Sequence, residues 1–458
     1  MPKTHFLDQL KLLFPDLTSL TDPADCWSYG YDNSRRHRSP MAVIFPTSQQ
    51  QIIDAVKLCR QHKVAITARG SGTGTTGATV PPTQAIVLST SRMDSILEVD
   101  PNNRVMVVEP GVTNQQVQIA AAKHGFFWPP DPTSSAICTV GGNLAYNSAG
   151  PRAVKYGTPR ENTLGLTCVT GAGELLNLGA YTTKSVVGYD LTRLIIGSEG
   201  TLAIITQATL KLTPLAESKR TLQATYSSVA SAANAIANIM SQPIIPCALE
   251  FMDGRAIELV REKAKLDLPK DVQALLMIEV DGDNSNLDSI AEKISLSAKV
   301  MGLIDVHIAR SDQQTQKLWQ ARKALSPSLR KVAPNKINED IVVPVTQLPA
   351  LISGLTALSN EYGIPIVNFG HAGNGNIHVN LLVQPEQLEH AKACLSDVFG
   401  LVMKLNGSLS GEHGIGLEKR DYINLEIDNS TIQLMKNIKQ QFDPDNILNP
   451  DKVFPIEE

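Results

Sequence analysis

The sequence predicts an α+β protein in two parts, and three observations carry the prediction. The chain has 458 residues, longer than one ordinary domain. Up to about residue 215, short strand and helix patterns alternate and are punctuated by glycine. Beyond that point glycine thins, and strand–helix–strand units follow one another, the pattern of an antiparallel sheet backed by helices. The first domain is therefore expected over 1–215 and the second over 216–458, with the last segment, about 410–458, returning to the first.

Taken in order, the N-terminal "MPKTHFLDQLKLLFPDL" reads as a short amphipathic helix; it lacks the apolar core and small-residue cleavage site of a signal peptide. Ser48-x-x-Gln51 is a capping-box pattern, and apolar residues at 52, 55, 56 and 59 form one helical face after it. "VAITA" (64–68) reads as a strand entering a glycine loop, and "NRVMVVEPG" (103–111) as another strand. Thr113-x-x-Gln116 opens a second capped helix that Gly125 closes. In "TLAIITQATLKL" (201–212), strand alternation puts Leu202, Ile204, Ala208, Leu210 and Leu212 on one face. In the second part, "TLQATYSS", a helix over 229–241 and "ALEFMD" form one unit; "ALLMIEVDG", a helix over 286–301 and "LIDVHIARS" form the next.

Composition narrows the function. Net charge is −4 and aromatics are 5%, so neither a basic footprint for nucleic acid nor stacking platforms for bases are present. The six cysteines stand singly with no C-x-x-C pair, which signals neither a zinc ribbon nor an iron–sulfur cluster; they read as buried thiols in a reducing compartment. No apolar run reaches the roughly 18 residues a membrane span needs. The expected location is the cytoplasm, with room for a peripheral contact at the inner membrane face.

Gly72-x-Gly74-x-x-Gly77 matches a dinucleotide fingerprint, but Pro81-Pro82 follows and forbids the helix that would meet a pyrophosphate. It is not a Walker loop either, since Ala78 stands where lysine should be. What remains is a run of glycines and threonines after Arg69, able to turn several N–H groups toward one anion, or else a plain surface turn. Three more small-residue segments, "PPDPTS" (129–134), "VGGNLAYNSAG" (140–150) and "GSEGTLAIIT" (197–206), favour the first reading. Close backbone approach to a flat, phosphate-bearing ligand needs such chain.

In the second part, "NFGHAGNGNIHVNLL" sets His371 and His378 around Gly373 and Gly375. A strand from Asn376 points Asn376, His378, Asn380 and Leu382 one way and Ile377, Val379 and Leu381 the other. The glycines let the chain fold back, so that two imidazoles can converge; two histidines that are simply hydrogen-bonded are the competing reading. "SGEHGIG" (410–416) adds Glu412 and His413. Two histidines and one carboxylate with open positions suit zinc, manganese or iron(II).

These segments carry a resemblance. "ARGSGTG", "PPDPTS", "GGNLAYNSAG", "KYGTPRENTLGLTCV" and "IIGSEGTLAIIT" look like the FAD-binding domain of the vanillyl-alcohol oxidase/para-cresol methylhydroxylase superfamily. "HAGNGNIHVN", "SGEHGIGLEKR" and "FDPDNILNP" are similar to the C-terminal domain of its D-2-hydroxyacid dehydrogenase branch: D-lactate dehydrogenases, glycolate oxidase catalytic subunits and D-2-hydroxyglutarate dehydrogenases. The fold implied is a two-part FAD-binding domain followed by an antiparallel-sheet substrate domain. For FAD the resemblance implies Arg69, Gly70, Ser71, Gly72, Thr73 and Gly74; Pro130, Asp131, Thr133 and Ser134; Gly141, Gly142 and Asn143; Ala149, Gly150, Tyr156 and Gly157; and Glu199, Gly200, Ile204 and Ile205. Covalent members often carry a histidine in the arginine–glycine loop; this loop has none, so non-covalent FAD is expected.

The resemblance further implies that His371, His378 and Glu412 hold one divalent metal ion. It makes His413 the base for the substrate hydroxyl, where a further metal ligand or a hydrogen-bonding neighbour of the site is the alternative. Arg322 and Lys336 would bind the substrate carboxylate, Ser326 lies about one helical turn beyond Arg322, and Asn380 would orient the substrate. The implied reaction is FAD-dependent oxidation of a D-2-hydroxy acid, D-lactate favoured, to the 2-oxo acid by hydride transfer to flavin N5. D-2-hydroxyglutarate and glycolate are the alternative substrates, and a non-catalytic flavin-binding subunit is the alternative from another class. A quinone, cytochrome or electron-transfer flavoprotein would accept the electrons, and a homodimer is expected.

Overall fold

The computed structural model describes residues 2–15, 17–261, 268–309, 311–329 and 335–456. The chain packs as two units: Met1–Gly150 with Gly157–Leu215 and Glu412–Glu458, and Pro151–Tyr156 with Ala216–Gly411. Pro151–Tyr156, expected with the first domain, therefore belongs to the second unit.

The first unit holds two main sheets. Ala42–Ile44, Ile66–Arg69 and Ile86–Ser89 run parallel, with Ser19–Leu20 antiparallel at one edge. Their apolar runs are almost wholly buried, as a parallel sheet covered on both faces requires. The helix Gln49–His62 buries Ile52, Ala55, Val56 and Cys59 in that core, and Phe6, Leu10 and Phe14 from the N-terminal helix segment join it at the spacing of an amphipathic helix. Ser48 caps the helix by accepting from the Gln51 N–H, but Gln51 reaches back to the Thr47 N–H. The box at Thr113 closes fully.

The second sheet is antiparallel, in the order Ile96–Asp100, Val105–Val108, Ala203–Lys211, Thr163–Thr170, Leu175–Gly179. Here the expected alternation fails. A register shift between Ile205 and Gln207 marks a bulge. Ala203 and Ile205 share a core with Ala208, Leu210 and Leu212, whereas Ile204 turns into the parallel-sheet core with Ile66 and Ile86. One extra residue exchanges the two faces of a strand beyond it. The C-terminal segment is stitched into this unit: Leu448 bridges Ile66, and Asn449 Nδ2 donates to the carbonyls of Ala78 and Glu199.

The second unit is built on one seven-stranded antiparallel sheet, in the order Leu303–Ile308, Ser218–Tyr226, Ala274–Gly282, Ala248–Asp253, Ile366–Gly370, Asn376–Val383, Asn335–Val342. Residues of both parities are buried, among them Leu276, Met277 and Ile278, so both faces are covered. On one face Met252, Leu275, Met277, Val367, Phe369 and Leu382 pack against the helices Gly254–Arg261 and Asp312–Leu329. The helices Val229–Ser241, Asn284–Ser297, Leu348–Tyr362 and Leu388–Lys404 pack on the sheet and on one another. All six cysteines are buried and unpaired as thiols. No helix among the described residues is long and apolar enough to cross a membrane.

Candidate functional site

In the first unit a cleft opens where the strand Ile66–Arg69, the helix Val140–Tyr146 and the turn before Ala203 converge. Arg69, Gly70, Gly141, Gly142, Glu199, Gly200, Ile204 and Ile205 line it, as do Thr79, Pro110 and Tyr146, which the sequence reading missed. Gly200, at φ +70°, has only the Ala68 methyl group near where a side chain would start, so backbone stands where a side chain would fill the cleft. A cradle of this kind fits a flat cofactor.

The loop's own side chains brace it. The Arg69 guanidinium donates to the Tyr31 carbonyl at 2.6 Å, and a Cβ on Gly72 would collide with it at 2.2 Å. Asp32 accepts the Gly77 N–H at 2.9 Å. Glu199 takes a left-handed φ of 54°, and its carboxylate accepts the N–H groups of Ile415 at 2.6 Å and Gly416 at 2.8 Å. Burial pushes that carboxyl up to about 7 against these two donors. Thr76 Oγ1 donates to the His413 carbonyl and the Thr76 carbonyl accepts from Leu417. The segment that carries His413 is thus fastened to the glycine loop and to Glu199.

Other expected cofactor residues lie off the cleft lining. Ser71 Oγ donates to the Ile137 carbonyl, and the Thr73 and Gly74 carbonyls accept from Asn33. Pro130 and Asn143 both accept from Asn114, and Asp131 donates its N–H to Ala149. Thr133 is exposed and Ser134 half-buried. Gly150 donates its N–H to Glu412 at 2.9 Å, and Gly157, at φ +78°, packs on Glu161. Tyr156 lies in the second unit, where its hydroxyl donates to Asp281 at 2.7 Å.

In the second unit Ile366–Gly370 and Asn376–Val383 form a hairpin that pairs Phe369 with His378. Gly375 makes the return at φ +73°, where a Cβ would lie 1.8 Å from the Val343 carbonyl oxygen. The rings of His371 and His378 come to 5.2 Å, nearly perpendicular. His371 Nδ1 is 2.5 Å from Glu250, and Arg322 Nε donates to the other oxygen of Glu250 at 2.6 Å. Burial would raise the Glu250 carboxyl, but the charges of His371 and Arg322 outweigh it and hold the group at about 2. An ionised carboxylate only accepts, so His371 carries a proton on Nδ1, and the neutral ring then keeps its lone pair on Nε2. Arg322 also lies 4.8 Å over the Phe369 ring.

Asp340 pairs in register with His378, 3.6 Å from its Nδ1, and is fully buried. It accepts from Asn376 Nδ2 at 2.6 Å and from the Gly411 N–H at 2.9 Å. The chain leaves this unit at Gly411, and Glu412 and His413 are the next two residues. Asn380 is 0% exposed and gives its amide protons to the Val367 and His378 carbonyls, while Oδ1 has no hydrogen-bond partner among the described residues. The polar row is thus packed inside the sheet. Lys336 shares its strand face with Asp340, four residues or about 13 Å away. The side chain of Ser326 lies outside the described residues. Glu250 and Asp340 were missed; the local signal of Glu250 is a carboxylate within the buried strand Ala248–Asp253, whereas Asp340 stands among the polar residues of Asn335–Val342.

Comparison with known proteins decides the family. Residues 215–453 match the family described as FAD linked oxidases, C-terminal domain, and residues 40–179 match the FAD binding domain. The chain belongs to the FAD-linked oxidases. This FAD-linked oxidase is 37% identical to a protein named glycolate oxidase subunit GlcD of Bacillus subtilis, over 93% of this chain and 92% of that one. It is 35% identical to a D-lactate dehydrogenase of Archaeoglobus fulgidus (94% and 96%) and 32% identical to a D-2-hydroxyglutarate dehydrogenase of Stutzerimonas stutzeri (99% and 100%). Among solved structures, p-cresol methylhydroxylase with substrate bound superimposes with a TM-score of 0.81 over 98% of this chain and 96% of that one, at 17% identity. That likeness is one of fold.

Proposed function

We propose that this FAD-linked oxidase oxidises a D-2-hydroxy acid, D-lactate favoured, to the 2-oxo acid. The observation that carries the reading is the buried cluster in which one carboxylate holds both His371 and Arg322. It supplies a preset imidazole lone pair and a fixed cation for a carboxylate, the two things a small hydroxy acid needs. The names of the relatives at 37%, 35% and 32% identity support the substrate class.

The donor set fits a divalent metal: His371 through Nε2, His378 through a ring nitrogen and Glu412 through its carboxylate would hold it. When bound, FAD supplies the acceptor for the C2 hydride at N5, and the metal supplies a Lewis acid for the substrate's oxygens. In this reading Arg322 and Lys336 bind the substrate carboxylate, with the Ser326 hydroxyl as a further donor. Asn380 turns its Oδ1 toward the reacting group, and His413 takes the C2 hydroxyl proton on a ring nitrogen. FAD is held without a covalent link by Gly70, Gly141, Gly142, Gly200 and their neighbours. The electrons then pass to an external acceptor. Glycolate is the second reading, favoured by the 37% identity to a glycolate oxidase subunit.

Anaerobic mixing of the yellow holoprotein with D- and L-lactate, glycolate and D-2-hydroxyglutarate tests this. D-lactate should bleach the flavin fastest and L-lactate should not bleach it. His413→Ala should keep FAD and metal yet slow bleaching by about 10²–10⁴-fold. Bleaching by none of the acids, or at an unchanged rate in that variant, would overturn the substrate or the base assignment respectively.

A further inference from the structure

We propose that Glu250 is a positioning residue that makes the metal ligand His371 and the carboxylate-binding Arg322 one mechanical unit; the inference rests on the roles given to those two residues above. Glu250 sits in the strand Ala248–Asp253, all six residues of which are buried, and its side chain is 2% exposed. A charge in such a place persists only if it is paired. Both of its oxygens are used: Oε1 meets His371 Nδ1 and Oε2 accepts from Arg322 Nε. The first contact selects the ring tautomer and aims the Nε2 lone pair away from the carboxylate. The second contact, with the Phe369 ring under the guanidinium, sets the plane in which Arg322 presents its remaining N–H groups.

Two other buried carboxylates of the same sheet have different partners. Glu279 accepts from Trp319 Nε1, Thr221 Oγ1 and Lys219 Nζ, each at 3.2 Å. Asp253 accepts the N–H groups of Ala256 and Asn368 and the Asn368 amide. Neither touches an imidazole, so these two brace strands and a helix start, and they supply the control for a purely structural carboxylate. Glu250 differs in joining an arginine and a histidine, 72 and 121 residues along the chain. One carboxylate between them means that loosening either end loosens the other. Metal affinity and substrate affinity should therefore fall together when it is changed.

The test uses purified, FAD-loaded protein and zinc as the probe, with affinity read by chelator competition. Glu250→Gln should weaken zinc binding about 10–100-fold and raise KM for D-lactate more than it lowers kcat at saturating zinc. Glu250→Asp should recover part of the zinc affinity, whereas Glu279→Gln should lower the melting temperature and leave zinc affinity unchanged. If Glu250→Gln does not fold, the double variant with Arg322→Met, which buries no unpaired charge, should fold and show the same loss of zinc. Wild-type zinc affinity in Glu250→Gln or in the double variant overturns the proposal. His378→Ala separates the two levels. Equal zinc binding by His378→Ala and wild type removes the metal reading, and this proposal with it; loss of zinc in His378→Ala alone leaves the reading standing and removes only the role of Glu250.

Discussion

The cleft of the first unit and the polar cluster of the second are both buried, and they are built by opposite means. The cleft is made by leaving side chains out: Gly70, Gly141, Gly142 and Gly200 line it, and the charged groups near it serve the loop itself. Arg69 holds the Tyr31 carbonyl, and Glu199 holds the backbone beyond His413. The cluster is made by putting charges in. Glu250, Arg322, His371, His378 and Asp340 are packed between strands and a helix, and each has a named partner. A backbone-lined cleft suits a large, flat ligand gripped by many weak contacts. A paired-charge cluster suits a small ligand held by a few strong ones.

The comparison breaks most visibly if the cleft is filled. Gly70→Val would set a Cβ 2.3 Å from Thr139 Oγ1, so the strand end or the helix cap must move. The expected product is a protein that has lost its flavin and its activity, with the sheet of the second unit intact by circular dichroism. Retention of stoichiometric FAD would show that the cleft is not the cofactor's seat.

A smaller effect tests the claim that Glu199 serves the loop. Its carboxyl is raised to about 7 in the folded chain from an ordinary value near 4.5. A raised carboxyl means that the folded state keeps its proton while the unfolded chain gives it up. Stability is therefore lost as pH climbs from about 4.5 to about 7 and is level above that, a change of about 3 kcal/mol. Glu199→Gln should flatten that slope in thermal melts across the window and leave the zinc affinity of the protein unchanged. An identical slope in the variant would assign the pH dependence elsewhere.

The smallest expected effect lies away from both sites. Thr113→Ala removes the cap that accepts the Gln116 N–H and should cost about 1 kcal/mol in a denaturant titration, with flavin content and turnover unchanged.

Local chemistry made much of the first unit legible. The capping box at Thr113, the strand inside "VAITA" and the glycine segments are signals spelled out within a few residues. The bulge near Thr206 was not legible, because an inserted residue obeys neither strand period and is fixed by the partner strand Thr163–Thr170. The hairpin between His371 and His378 could be read because its glycines sit between its two strands. Glu250 and Asp340 could not. Glu250 looks locally like a misplaced charge in an apolar strand and Asp340 like one more polar residue of a polar strand, and their partners arrive from segments 36 to 121 residues away. That Ala153–Tyr156 packs with the second unit was hidden for the same reason: this short helix leaves a segment whose neighbours on both sides belong to the first unit.

The central claim is that the flavin of one unit and the paired charges of the other serve a single oxidation. The direct measurement is anaerobic flavin reduction by D-lactate before chelation, after it, and after zinc is restored. The account predicts rapid bleaching, then bleaching abolished while FAD stays bound, then recovery. Bleaching at the same rate in the metal-free protein would contradict it.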